Sequence, residues 1–289
     1  MDKRRCNALH RQYGITTISH SVLSSCGSLV KVTIPNTVET IEPMVFGNCN
    51  SLPSIEIPEG VLSLKGEERV LDWWQGPFSG CESLSSVVLP SSLLVLGEGA
   101  FRDCTSLMSI VIPENVSTIG DGAFMSCKNL TDVDLSDVNV INSYAFYGCE
   151  TLRQIVLPES VVSVNGLAFC GCPELKRMYV YSDVCTLELN EDTVSDTAVI
   201  FGHIDSPAQE YANVFGRKFV DIETVTTLDS ASDVNVDGQF NISDLVTFQK
   251  WLLATLDTEL VDWRAADLCE DNRLDVFDLC LMRQKLIKG

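Results

Sequence analysis

Two runs of residues, 34 apart near the C-terminus, with oxygen-bearing side chains at positions 1, 5, 9 and 12, have the spacing of a calcium-binding loop. The first is Asp233, Asn235, Asp237, Gln239, Asn241 and Asp244; the second is Asp267, Cys269, Asp271, Arg273, Asp275 and Asp278. A hard cation takes six to eight oxygen ligands, and a twelve-residue loop supplies them from positions 1, 3, 5, 7, 9 and 12, position 7 through its backbone carbonyl. Gln239 and Arg273 stand at that backbone position, and Gly238 supplies the residue tolerant of positive φ at position 6 of the first loop. The second loop departs twice. Asn272 replaces the glycine, which is tolerable, but Cys269 puts a soft thiol where a hard ion wants oxygen. Two Ca²⁺ sites are therefore expected, the second degenerate and weaker, or completed by water or the Glu270 carboxylate.

Helices must hold these loops, and the sequence places one after each. Leu245, Val246, Phe248, Leu252 and Leu253 follow the first, and Leu279, Met282, Leu286 and Ile287 the second, at helical spacing. Residues 226–232, before the first loop, are polar and carry no such stripe, and both twelfth positions are Asp, so the unit departs from an ordinary EF-hand. The halves match at the offset of 34: Phe240 with Leu274, Ile242 with Val276, Leu245 with Leu279, Phe248 with Met282 and Leu252 with Leu286. Residues 229–289 resemble the type I dockerin module of cellulosomal proteins. The resemblance implies a small all-α calcium-binding domain whose partner is a cohesin module of a scaffoldin. The contacts it implies fall on Ile242, Ser243, Gln249 and Lys250 in the first half, and on Val276, Phe277, Arg283 and Gln284 in the second. These sets differ in chemistry, so equal binding in both orientations is not expected.

The rest of the chain repeats. Cys26, Cys49, Cys81, Cys104, Cys127, Cys149 and Cys172 open units at steps of 23, 32, 23, 23, 22 and 23 residues. Such a period, with regularly placed aliphatic residues, specifies a solenoid in which each unit buries its apolar face only against its neighbours. Within one unit Leu107, Ile110 and Ile112 alternate inward as a short strand ended by Pro113, and Val116, Ile119, Phe124 and Cys127 return along the core. The G-x-x-A-F-x-x-C run resembles BspA-type leucine-rich repeats, found on bacterial surface and secreted proteins. The expected fold is thus a leucine-rich-repeat solenoid, with one short parallel strand per repeat and irregular or 3-10 return segments, plus the small all-α domain. Residues 1–180 form the repeats, 181–222 a C-terminal cap with a strand, a helix from Ser206-Pro207 and a last strand, 223–228 a linker, and 229–289 the calcium module.

With 40 acidic against 20 basic residues the net charge is −20, and 229–289 alone holds 12 against 6. That balance suits solubility and calcium and argues against a nucleic-acid partner, whose phosphates need a basic face. The composition is 45% hydrophobic, and no apolar run is long enough for a membrane span. Seven of the 12 cysteines occupy the repeat slot, where a small buried apolar side chain packing on the next is the simplest role. Cys170, Cys172 and Cys185 leave a local disulfide or a metal site open, although His10, His20 and His203 are the only histidines.

Strand positions not used by the core form rows on one face: Ser85, Met108, Thr131, Arg153, Lys176; then Ser86, Ser109, Asp132, Gln154, Arg177; then Val88, Val111, Asp134, Val156, Tyr179. Arg153, Lys176, Arg177 and Tyr179 make its basic, aromatic end, a candidate for a protein or a plant or microbial surface glycan, or else an ordinary solvated face. The excess between Leu64 and Phe78 carries Trp73 and Trp74, which either bind a partner or fold back over the solenoid edge. No catalytic motif is present. The resulting expectation is a non-catalytic, extracellular, cellulosome-associated protein displaying a binding arm. The alternatives are a surface adhesin with a structural calcium module, and a polysaccharide-degrading enzyme or protease inhibitor. Ile15, Ile18 and Leu23 align with Val38, Ile41 and Phe46, so the sequence opens in mid-repeat, and Met1 to His10 leads into no apolar stretch. An upstream part carrying the secretion signal and further repeats is expected.

Overall fold

The segment after each cysteine alternates between core and solvent, and a period of two over three or four residues makes a short strand. Seven such strands follow one another: Ser54–Glu56, Ser86–Val88, Ser109–Val111, Asp132–Asp134, Gln154–Leu157, Arg177–Val180 and Val199–Gly202. They pair in parallel register as two pairs and a final group of three, which Phe219–Asp221 then extends. Ile55, Ile110, Val133, Ile155, Met178 and Ile200 point into the core from these strands.

Each repeat contributes two strands, which corrects the expectation of one. Thr17–Ile18, Thr40–Ile41, Ser63–Leu64, Val95–Leu96, Thr118–Ile119, Val140–Ile141, Ser163–Val164 and Thr186–Leu187 form a second, eight-stranded parallel ladder. Two residues are too few to show alternation in a sequence, but stacked at equal height on the next repeat they pair all the same. The inward Ile18, Ile41, Leu64, Leu96, Ile119, Ile141, Val164 and Leu187 are all buried.

Between the ladders the chain turns on left-handed residues. One lies two before the repeat phenylalanine, as at Gly99, Gly122, Tyr144 and Leu167, and one just before the cysteine, as at Gly80, Asp103, Ser126 and Gly148, with φ between 57° and 75°. For a side-chain-bearing residue that conformation costs about 1–2 kcal/mol. Hydrogen bonds to the next repeat hold the turn: Phe78 N–H donates to Ala100 O, Phe101 to Ala123, Phe124 to Ala145 and Phe146 to Ala168, at 2.8–3.0 Å. The phenylalanines therefore align. Phe46, Phe78, Phe101, Phe124, Phe146 and Phe169 form one stack, with consecutive centroids 5.1, 5.3, 5.7, 5.3 and 5.2 Å apart and planes within 9°.

Past the strand Val199–Gly202 comes a helix, Pro207–Val214, begun by Pro at its first turn and by Ser206, whose side chain accepts from Gln209 N–H. Buried Tyr211 fastens this helix to the last coil: its hydroxyl accepts from Val194 N–H at 3.2 Å and lies 3.0 Å from Asn190 O, on the 3-10 turn Glu191–Thr193.

The computed structural model describes residues 14–68, 74–135, 137–223 and 248, and the chain divides into two compact units, Met1–Phe219 and Val220–Gly289. Phe248, in the apolar stripe read from the sequence, is helical and buried. Both loops expected to bind calcium, the positions implied to meet a cohesin, residues 224–228 and Trp73 lie outside the described residues.

Candidate interaction surface

Outward side chains of successive strands fall into straight rows because the register is in phase. Ser86 pairs with Ser54, Asp132 with Ser109, Arg177 with Gln154 and Val199; in the second row Val88 pairs with Glu56, Asp134 with Val111, Tyr179 with Val156 and Phe201. Within each paired group these residues keep the order read from the sequence, while Ser86–Val88 and Ser109–Val111, and Asp132–Asp134 and Gln154–Leu157, fall in separate sheets. Arg177 and Tyr179 share one face of one strand, two residues apart, while Met178 and Val180 are buried beneath. Arg153 and Lys176 adjoin them, joined by the hydrogen bond from Lys176 N–H to Arg153 O. Lys176 Nζ donates to Pro173 O at 2.8 Å, so its charge meets no carboxylate there.

The Tyr179 ring stacks on Phe201, centroids 4.7 Å apart and planes at 20°. Phe201 was not among the residues singled out from the sequence. It belongs to the segment that abandons the repeat signature, yet its strand continues the ladder and so fills the same row. Across the register, Gln154 Oε1 and Arg177 Nη1 are shut off from solvent without a hydrogen-bond partner. Further along the face Val88, Met108 and Val111 are large apolar side chains 56%, 58% and 67% exposed.

The insertion forms a hairpin in which Glu67–Glu68 pairs antiparallel with Trp74–Gln75, and Glu67 Oε1 meets His20 Nε2 at 3.0 Å. Trp74 lies across the turns of the following repeats. Its carbonyl oxygen accepts from Arg102 Nη1 at 3.3 Å, and its ring is tilted against Tyr144 at 5.0 Å. Gly99 and Gly122 lack side chains where they pass beneath it: a Cβ on Gly122 would sit 2.8 Å from the Trp74 indole, and one on Gly99 2.8 Å from its carbonyl oxygen. The half-buried ring is thus held by the solenoid's own turn edge.

The cysteine slot does more than fill space. Cys81 Sγ donates to Phe46 O, Cys104 to Phe78 O, Cys127 to Phe101 O, Cys149 to Phe124 O and Cys172 to Phe146 O, at 3.0–3.4 Å. Each of these carbonyls already accepts the N–H of the cysteine in its own turn, as Phe101 O does from Cys104, so the thiol satisfies the second lone pair from the next coil. Burial pushes the Cys81, Cys172 and Cys185 thiols up to about 12, and Cys104, Cys127 and Cys149 are raised as well. Buried neutral thiols of this kind are inert. Cys170, Cys172 and Cys185 are separate free thiols, which corrects the reading that left a local disulfide open. Cys172 is committed to the repeat slot, facing Phe146. Among the described residues no three metal-ligating side chains converge, and no helix is long and apolar enough to cross a membrane.

The sequence profile of the BspA type leucine rich repeat region matches in 6 copies, over residues 5–67 and 75–191. No curated protein matches the chain. Among solved structures, a Treponema pallidum (T. pallidum) leucine-rich repeat protein aligns at 24% identity over 66% of this chain and 85% of its own, with a TM-score of 0.47. A leucine-rich repeat protein from Bacteroides ovatus gives 24% identity, 65% of this chain and a TM-score of 0.41; this chain spans 59% of its length. A leucine rich cell surface protein from Faecalibacterium prausnitzii gives 22% identity, 72% and 69% coverage and a TM-score of 0.41. With the repeat profile covering more than half of the sequence, the chain belongs to the BspA-type leucine-rich repeat family.

Proposed function

We propose that the protein is a non-catalytic, extracellular cellulosome component, in which residues 229–289 fold around Ca²⁺ and bind a scaffoldin cohesin while the solenoid serves as a binding arm. The observation that carries this reading is the pair of twelve-residue oxygen-donor loops at an offset of 34, each followed by a helical stripe. The donor chemistry fits the ion: Asp233, Asn235, Asp237, Asn241 and Asp244, with the Gln239 carbonyl, make an all-oxygen set suited to a hard cation. Asp267, Asp271, Asp275 and Asp278, with the Arg273 carbonyl, make a poorer one because Cys269 supplies sulfur. Bound Ca²⁺ neutralises carboxylates that otherwise repel one another, so binding energy becomes folding energy. Ile242, Ser243, Gln249 and Lys250, or Val276, Phe277, Arg283 and Gln284, would then face the cohesin.

Supporting the binding arm are the rigid rows of outward side chains, for which a repeat array offers an extended surface. The test is calorimetric titration of the full chain against a panel of cohesins, first in Ca²⁺ and then in excess chelator. Tight binding abolished by chelator is the expected result. Calcium uptake without binding to any cohesin would move the reading to an adhesin with a structural calcium module.

A further inference from the structure

We infer that the aromatic cluster of Trp74, Tyr144 and Tyr147 on the turn edge is a binding site for a neutral glycan, a single chain of β-linked pyranoses with equatorial hydroxyls. The inference rests on the binding-arm reading and is independent of the cohesin.

The rings are the first argument. Trp74 and Tyr144 have centroids 5.0 Å apart, and Tyr144 and Tyr147 5.7 Å, with successive planes tilted by 45° and 48°. All three side chains are part-exposed. Their positions are fixed from below. The hairpin carries Trp74, whose six-membered ring packs over Gly122, and the two tyrosines leave one tight turn in which Tyr147 N–H donates to Tyr144 O at 3.0 Å. A ring already held in place loses little freedom when a ligand stacks on it. An equatorially substituted pyranose turns a flat set of C–H groups to the negative face of such a ring and keeps its hydroxyls at the rim. Because successive ring planes are tilted, the cluster fits one twisting chain better than a flat crystalline surface.

Hydrogen-bonding capacity is the second. The Trp74 indole N–H and the Tyr144 and Tyr147 hydroxyls make no hydrogen bond with the described residues, and none of the three is shut off from solvent. Buried Tyr211 is the contrast, its hydroxyl taken up by Val194 N–H and Asn190 O. The cluster thus offers one group that donates and two that both donate and accept, which a rim of sugar hydroxyls can use in full.

The surroundings separate a glycan from a polypeptide. Glu98, Asp103, Asp121, Ser126, Asn142 and Ser143 are the part-exposed neighbours on these turns, whereas Ala100, Ala123, Met125 and Ala145 are buried. A protein hot spot seats its aromatic anchors in an apolar patch that excludes water, and the large exposed aliphatic residues Val88, Met108 and Val111 belong to the strand face instead. Charge narrows the sugar. Three of those neighbours are carboxylates, and the guanidinium beside them, Arg102, is bonded to Asp103 at 3.1 Å. On a chain of net charge −20 such a site rejects uronates and sulfated sugars and leaves neutral ones.

The test titrates the full chain with cellohexaose and xylohexaose by calorimetry, with polygalacturonate as the anionic glycan and fluorescein-labelled casein as the polypeptide. A neutral hexasaccharide is expected to bind with little dependence on salt, and to lose about tenfold in affinity in Tyr147→Ala and in Tyr144→Gly. The double variant Tyr144→Phe/Tyr147→Phe keeps the rings and should lose about threefold through its missing hydroxyls, with Tyr181→Ala unaffected. Tyr144→Gly preserves the fold, since glycine fills that left-handed slot at Gly99 and Gly122 in the two preceding coils. Casein binding that falls in these variants, with neither hexasaccharide bound, would overturn the glycan assignment and leave a protein-binding arm. Hexasaccharide binding untouched by the variants would overturn the location and leave a glycan-binding arm. Tighter binding of polygalacturonate than of the neutral chains would overturn the neutral assignment. Binding of none of the four would overturn the inference together with the arm reading for such partners.

Discussion

Cys127 Sγ lies 3.1 Å from the carbonyl oxygen of Phe101, one coil upstream, and the same thiol-to-phenylalanine bond recurs along the array. The slot is therefore filled by a residue that is both small and a donor. Cys127→Ala removes the donor together with the volume of the sulfur, so it is expected to destabilise the solenoid by about 1–3 kcal/mol, measured by urea unfolding followed by circular dichroism. An alanine variant as stable as the parent would show that neither the volume nor the donor of the thiol contributes.

The same burial sets a pH dependence. A thiol ordinarily ionises near 8.5, while Cys81, Cys172 and Cys185 are held up to about 12 by desolvation. Their folded-state value is raised, so the native chain keeps protons that the unfolded chain loses, and the associated stability is complete below about pH 8.5 and drains away as pH rises toward 12. Unfolding midpoints measured between pH 7 and 10.5 should fall steadily above pH 8.5. At pH 8 iodoacetamide should label the partly exposed Cys170 in the native chain well before Cys104, Cys127 or Cys149, with mass mapping as the readout.

Phe124 sits mid-stack between Phe101 and Phe146. Phe124→Ala removes a fully buried ring and both ring contacts, an expected loss of about 3–5 kcal/mol. In an array stabilised by nearest neighbours such a break also uncouples its two sides. Hydrogen exchange should show protection falling around residues 101–146 first, and an unchanged single transition would count against the stack as the spine.

Gly122 has φ +58° and faces the Trp74 indole. Gly122→Ala therefore carries both the left-handed penalty, about 1–2 kcal/mol, and a clash. In a Trp74→Ala background only the first remains, so a double-mutant cycle should return a coupling of about 0.5–2 kcal/mol. Additive effects would mean that the ring does not rest there.

Much of the solenoid was legible because its signal is repeated: inward Leu107, Ile110, Val116, Ile119 and Phe124 recur at fixed offsets, and register follows from equal spacing. The second ladder was not, since Thr118–Ile119 is two residues long and its partners lie one repeat away in sequence. Nor was the thiol bond, because Cys127 reads as apolar filler until the Phe101 carbonyl is seen to have a spare lone pair. On the surface, Arg177 and Tyr179 followed from alternation, whereas Phe201 lay hidden in a segment without the repeat signature. For Trp74 the residue type left both outcomes open, and the side chains missing from Gly99 and Gly122 were the available clue.

The Trp74 hairpin has a consequence for how such an array changes length over generations. Most coils meet their neighbours through the same atoms, phenylalanine on phenylalanine and thiol on carbonyl, so recombination between them can delete or duplicate a coil with every junction remade alike. The coils of Gly99, Gly122 and Tyr144 are exempt, because each is fitted individually to Trp74, Gly99 to its carbonyl and Gly122 and Tyr144 to its indole. Losing one of them would set a side chain against Trp74 where a glycine had been, or leave the ring without Tyr144. The insertion thus fixes the identity and order of the coils beneath it, while those beyond remain interchangeable.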